Sequence, residues 1–291
     1  MPFSADDLLS LSECAINAAL DAGRLIASRS GESISVQQKE GGVSLASQVV
    51  TEVDLASESA IVKRLSPSCE QYDIALLTEE VVDDLGRLES DAFWCVDPLD
   101  GTLAYIESTP GYSVSIALVS NSGQPLIGVV YDPLTRRLYS SVKGQGAYLN
   151  GQPWRLNFDS PVSQKPLTLV CDRNLAEGEG YDRVLEHFES KARRLGLSGV
   201  RTLHKGGAVL NACWVLENRP ACYFKFPKAE AGGGSLWDFA ATACLFNELG
   251  AIATDFYGEP LELNRVESTF MNHRGVIFAT DPELVVGLVD N

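Results

Sequence analysis

The chain has 291 residues, 45% of them apolar and 21% charged, enough for one large domain or two fused lobes around a substantial core. Acidic residues outnumber basic ones by 39 to 23, a formal charge of −16, which argues against a nucleic-acid backbone as partner and makes an anionic substrate awkward unless a metal ion supplies positive charge. The seven cysteines are scattered with no C-x-x-C pair and read as reduced core thiols of a cytoplasmic protein; the acidic N-terminus does not read as a secretory signal, and no apolar run is long enough to span a bilayer.

From the N-terminus, Ser4 followed by two aspartates opens a helix whose apolar residues recur at Leu8, Leu11, Ala15, Ala18, Ala22 and Leu25, close to a period of 3.6. A Gly/Ser-rich patch (SGESIS, then KEGGVS) separates it from a second helix. That helix opens on the capping box of Thr51 and Asp54, and Pro67 is expected to stop it. LTEE (77–80) reads locally as a helix start. AFWCV is a buried strand running into DPLDGT (97–102), and YSVSIALVS is another strand. Residues 125–151 then read as hairpins turning at Asp132-Pro133 and near Gly144. After about residue 155 strands alternate with helices, which predicts a mostly parallel second sheet.

Four stretches place acids beside structural punctuation: TEVD (51–54), LTEE, DPLDGT and SLWD (235–238). Singly, each has a plain reading. Two are capping boxes, one is a helix start, and one is a Pro-Gly turn. Jointly they read otherwise. Asp97 lies at the carboxyl end of an interior strand, where α/β sheets bind ligands. A buried carboxylate is unfavourable unless it meets a cation, and no Lys or Arg lies near Asp97 or Asp100 in sequence. Hard divalent ions take oxygen ligands, and Mg²⁺ is commonly held by a few carboxylates plus a substrate phosphate. The N–H groups of Gly101 and Thr102 would suit that phosphate.

DPLDGT resembles the signature of the inositol monophosphatase family, the Mg²⁺-dependent, lithium-sensitive phosphatases. TEVDLASE, LTEE, GVVYDP, GQGAYLNG, GGAVLNAC and LWDFAATACLFNELGA resemble the family's other motifs in its order, so the resemblance covers nearly the whole chain. It implies an α/β (α+β) fold, a layered αβαβα sandwich of the sugar phosphatase type. An N-terminal α+β lobe (1–155) would carry most metal ligands, and a C-terminal α/β lobe (156–291) would carry Asp238 and substrate contacts. It implies two or three Mg²⁺ ions. Glu79, Asp97 and the Leu99 carbonyl would hold the first; Asp97, Asp100 and Asp238 the second; Glu80 and Asp54 a weaker third. Thr102, with Glu79 and Asp54, would orient and activate the attacking water.

Substrate contacts are expected from Asp100, Gly101, Thr102, Gly207, Ala208 and Asp238. Inositol-selective members of the family usually carry a Glu after a Tyr-Tyr pair; here the matching stretch is Tyr223-Phe224-Lys225, followed by the insertion FPKAEAGGG. Lys225 either reads a second anionic group or merely solvates a loop, and Glu230 is a candidate for the missing hydroxyl-binding role. The expected activity is hydrolysis of a small phosphorylated metabolite, first an inositol monophosphate or similar polyol phosphate, alternatively 3′-phosphoadenosine 5′-phosphate. A catalytically weak binding homologue is the third reading. Such phosphatases are often homodimers. His187, His204 and His273 are isolated and read as structural.

Overall fold

The computed structural model describes residues 3–30, 36–38 and 49–288. Helix α1 (Ala5–Ser28) begins at a reciprocal capping box of Ser4 and Asp7 and buries Leu8, Leu11, Ala15, Ala18, Ala22 and Ile26. The Gly/Ser-rich patch expected next lies mostly outside the described residues, which resume at β1 (Val36–Gln38) and β2 (Val49–Thr51). Helix α2 (Glu52–Tyr72) starts at Thr51 as expected but does not stop at Pro67; it runs on to a left-handed cap at Asp73. The proline removes one N–H from the helix ladder. Packing outweighs that loss: Ile61, Leu65 and Ser68 form a buried face, and Ser68 Oγ accepts the Trp94 indole N–H at 3.0 Å.

Thr78 ends a strand, β3 (Ala75–Thr78), rather than starting a helix; the next helix is the single turn α3 (Gly86–Glu89). Leu76 and Leu77 pair in parallel with Trp94 and Cys95 of β4 (Ala92–Asp100), so sheet burial decides the conformation there. All nine residues of β4 are buried, and α4 (Thr102–Ile106) follows at once. The antiparallel strands β5 (Ser113–Ser120), β6 (Pro125–Asp132), β7 (Arg137–Val142), β8 (Gly146–Leu149) and β9 (Gln152–Trp154) complete a seven-stranded sheet in simple chain order.

The second half contains β10 (Leu167–Val170), α5 (Arg173–Ala176), α6 (Tyr181–Arg194), β11 (Val200–Leu203), α7 (Ala208–Glu217), β12 (Ala221–Lys225), α8 (Leu236–Leu249), β13 (Ile252–Thr254) and β14 (Val276–Ala279). Its sheet has the order β11-β10-β12-β14-β13. Only β11, β10 and β12 are mutually parallel, while β14 runs antiparallel to both β12 and β13. The expectation of a mostly parallel sheet is therefore corrected to a mixed one. The chain returns from β13 to β14 without a crossover helix, and such a return suits antiparallel pairing.

Three buried clusters define five layers. Helices α1 and α2 pack on one face of the large sheet, around Ile26, Ile61, Trp94 and Ile116. Helices α7 and α8 lie between the two sheets, with Phe93, Val209, Leu245 and Phe278 in one continuous core. Helix α6 covers the outer face of the second sheet through Phe188, against Leu169 and Ile277. This is the αβαβα sandwich. The middle layer is close-fitting: a Cβ on Gly128 of β6 would stand 2.2 Å from the Ala241 carbonyl oxygen of α8. The seven cysteines are all free, five of them buried. No helix among the described residues is long and apolar enough to cross a membrane.

Candidate active site

The end of β4 turns sharply. Its register against β5 shifts between Asp97 and Asp100, Asp97 Oδ1 accepts the Leu99 N–H at 3.0 Å, and Gly101 (φ +82°) turns the chain into α4. The Pro-Leu spacer thus brings Asp97 and Asp100 round to one point, where Asp238 arrives from the first turn of α8. These three carboxylates each offer an oxygen within 4.8 Å of the others. Asp238 also forms a capping box with Ser235, accepting the Ser235 N–H at 2.5 Å. Asp54 likewise caps α2 through Thr51. The plain capping readings of both aspartates hold together with the site reading, because a carboxylate has two oxygens and about four lone-pair directions.

Thr102 stands beside this group. Its hydroxyl lies 3.1 Å from Asp54 Oδ1 and 3.2 Å from the Leu99 carbonyl oxygen. Glu79 and Glu80 follow β3, half-buried, with the Glu79 N–H bonded to the Val96 carbonyl. Asp100 has a further task. Its two oxygens accept the N–H groups of Ala208 and Val209, both at 3.0 Å, and so cap α7 from the other half of the chain. The Gly207 N–H goes to the Gly111 carbonyl at 2.7 Å. Gly207 and Ala208 therefore line the site with their N–H groups already engaged.

The electrostatics call for a cation. Asp97 and Asp100 are 1% and 5% exposed. Burial, first, and then the nearby carboxylates Glu79, Asp100 and Asp238 push the Asp97 carboxyl well above the usual range. Burial and Asp238 do the same to Asp100, against the Val209 N–H and Lys225, which favour its ionised form. Burial also raises Asp54, against its hydrogen bonds from Thr51 and Thr102. Buried carboxylates that repel one another are stabilised by a hard divalent ion, and an all-oxygen donor set fits one.

A model of the inositol monophosphatase family matches residues 7–289. The chain belongs to the inositol monophosphatase family. It is 33% identical over 244 residues to Nus factor SuhB of Escherichia coli (strain K12), covering 84% of each chain. It is 31% identical to inositol monophosphatase 1 of Solanum lycopersicum, covering 88% of each. Among solved structures it resembles the inositol monophosphatase from Anabaena (Nostoc) sp. PCC 7120, with a TM-score of 0.69, 26% identity, and coverage of 97% of this chain and 95% of that one.

Lys225 does not solvate a loop: its side chain is 19% exposed, and its Nζ lies 3.1 Å from Asp172 Oδ2. Lys228 and Glu230 are exposed on the insertion that follows. Asp172, not singled out in the sequence, borders this region through its ion pair with Lys225. The available signal was LTLVCD, a buried run ending in an acid, the same pattern that marks Asp97 after AFWCV.

Proposed function

We propose that the chain is a Mg²⁺-dependent phosphomonoesterase acting on an inositol monophosphate or a similar polyol phosphate. The observation that carries this reading is the convergence of Asp97, Asp100 and Asp238 beside the Thr102 hydroxyl. Asp97, Asp100 and Asp238, with Glu79 and the Leu99 carbonyl, would hold the ions, and Glu80 and Asp54 would support a weaker one through which lithium would act. When bound, Mg²⁺ neutralises the phosphate and favours deprotonation of the attacking water. That water donates to the Thr102 hydroxyl oxygen, whose own proton is directed to Asp54, while Glu79 accepts beside it. Gly101 and Thr102 orient the ester phosphate; Gly207 and Ala208 wall the leaving-group side. The halves on either side of residue 155 act as two lobes of one cytoplasmic enzyme.

The second reading, 3′-phosphoadenosine 5′-phosphate, rests on Lys225 in place of the family's Glu. Pairing with Asp172 offsets much of the lysine's charge, which favours the polyol reading. A third reading rests on the relative named Nus factor SuhB: a binding or regulatory role with little turnover.

The test is phosphate release from inositol 1-phosphate, 3′-phosphoadenosine 5′-phosphate, fructose 1,6-bisphosphate and 2′-AMP, each with Mg²⁺ and with EDTA. The expected result is Mg²⁺-dependent release, highest from inositol 1-phosphate, and none from Asp97→Asn with an unchanged circular dichroism spectrum. Preference for the bisphosphorylated nucleotide supports the second reading. Release from none of them, with Mg²⁺ still bound, supports the third.

A further inference from the structure

Asp172 follows β10 and gathers three donors. Its Oδ1 accepts the Tyr223 hydroxyl at 2.9 Å and the Asn211 side-chain N–H at 3.1 Å, and its Oδ2 pairs with Lys225 Nζ at 3.1 Å. Tyr223 and Lys225 project from the same face of β12, two residues apart. Tyr223 and Asn211 are fully buried, so the carboxylate is anchored on its Oδ1 side by groups that cannot move away. What remains for its Oδ2 is the ammonium of a flexible four-carbon side chain.

That ammonium lies next to the carboxylate cluster. Lys225 Nζ stands 5.7 Å from the centre of the Phe239 ring, on the residue after Asp238. A Cβ on Gly234 would meet the Phe239 ring at 2.6 Å and Asp238 Oδ2 at 3.2 Å, so ring and carboxylate border one small space. After Asp172, the carboxylates whose charge bears on Lys225 are Asp238 and Asp100. An ammonium released here would pair with those two acids, and in that position it would exclude a divalent cation by occupying its ligands and repelling its charge.

We propose that Asp172 is a positioning residue that holds the Lys225 ammonium away from Asp100 and Asp238, leaving those two carboxylates to a divalent cation. The proposal rests on the metal role assigned above to Asp100 and Asp238. It gives the Lys225–Asp172 pair a task that neither inositol nor nucleotide recognition requires. The two residues form one unit: removing the anion should do harm only while the cation is present.

The experiment is calorimetric titration of Mg²⁺ into the full chain, its Asp172→Asn and Lys225→Met variants, and the double variant. Asparagine keeps an oxygen for Tyr223 and Asn211 and removes only the charge. Asp172→Asn is expected to weaken Mg²⁺ binding by about 10–100-fold, the usual effect of groups that support metal ligands. Lys225→Met is expected to bind Mg²⁺ at least as tightly as the parent, and the double variant to regain the parent's affinity. A purely structural role for Asp172 would not be rescued by removing Lys225. Equal affinities for the parent and Asp172→Asn, or a double variant as weak as Asp172→Asn, overturn the proposal. So does weaker binding by Lys225→Met, an outcome readable even if Asp172→Asn fails to fold. A parent chain that takes up no Mg²⁺ overturns the metal reading along with it.

Discussion

Thr102 has one hydroxyl proton and two acceptors within reach, Asp54 Oδ1 and the Leu99 carbonyl oxygen. It can donate to only one at a time, which leaves its oxygen lone pairs to accept from a water. If the carbonyl is engaged by a cation, Asp54 becomes the remaining acceptor and the hydroxyl's direction is set. Thr102→Val keeps the shape and removes this relay. Its kcat for the preferred phosphomonoester is expected to fall about 10²–10⁴-fold, the range for a positioned proton-transfer group. KM should move little, and Thr102→Ser should retain most activity. Steady-state kinetics on the two variants checks this; a Thr102→Val enzyme with parental kcat would remove Thr102 from the proposed chemistry. At this scale the sequence was informative where chemistry and burial coincide. Asp97 and Asp100 end a run too apolar to be exposed, so their charge demanded a partner. Asp172 has the same local pattern, but its meaning comes from Asn211, Tyr223 and Lys225, which lie 39 or more positions away in sequence. No local reading supplies those partners.

The elements that meet at the site do so by backbone. Gly111, in the loop after α4, has φ +128°, and a Cβ there would stand 2.4 Å from the Lys205 carbonyl oxygen and 2.7 Å from the Gly206 Cα. The same junction carries the Gly207 N–H bond to Gly111 and the two N–H bonds from α7 to Asp100. Gly111→Ala would be strained in φ and would press on backbone that has no rotamer through which to yield. Expected are a stability loss of about 1–3 kcal/mol by urea denaturation and weaker Mg²⁺ binding, since Asp100 is held by the helix that must move. A variant of parental stability and Mg²⁺ affinity would show that this approach is not needed. Element types were legible because caps and apolar periods are local: Ser4, Thr51 and Ser235 each open a helix. The sequence signal failed where packing overrides a local rule. Pro67 sits inside a helix held down by the large sheet, and Thr78 ends a strand that pairs with β4.

For the molecule as a whole, the charge of −16 and the buried carboxylates combine into one thermal prediction. Self-repulsion disfavours the compact state at this net charge, and any added salt relieves part of it by screening. A divalent ion bound among Asp97, Asp100 and Asp238 acts differently, because the unfolded chain scatters those ligands. It stabilises the folded state alone, by about 2.7 kcal/mol at a hundred times its Kd. For a chain this long, the rise in Tm should be on the order of 5 °C. NaCl at equal ionic strength supplies only the screening part. Melting curves in Mg²⁺, in matched NaCl and in EDTA separate the two effects, and Asp97→Asn provides the internal control. The parent chain should gain its extra stability only in Mg²⁺, and Asp97→Asn should melt alike in Mg²⁺ and matched NaCl. If the parent gains no more from Mg²⁺ than from NaCl, the carboxylates at the end of β4 do not bind the ion. The buried cluster would then need another source of positive charge, and Lys225, whose ammonium already favours the ionised form of Asp100, is a candidate to supply it.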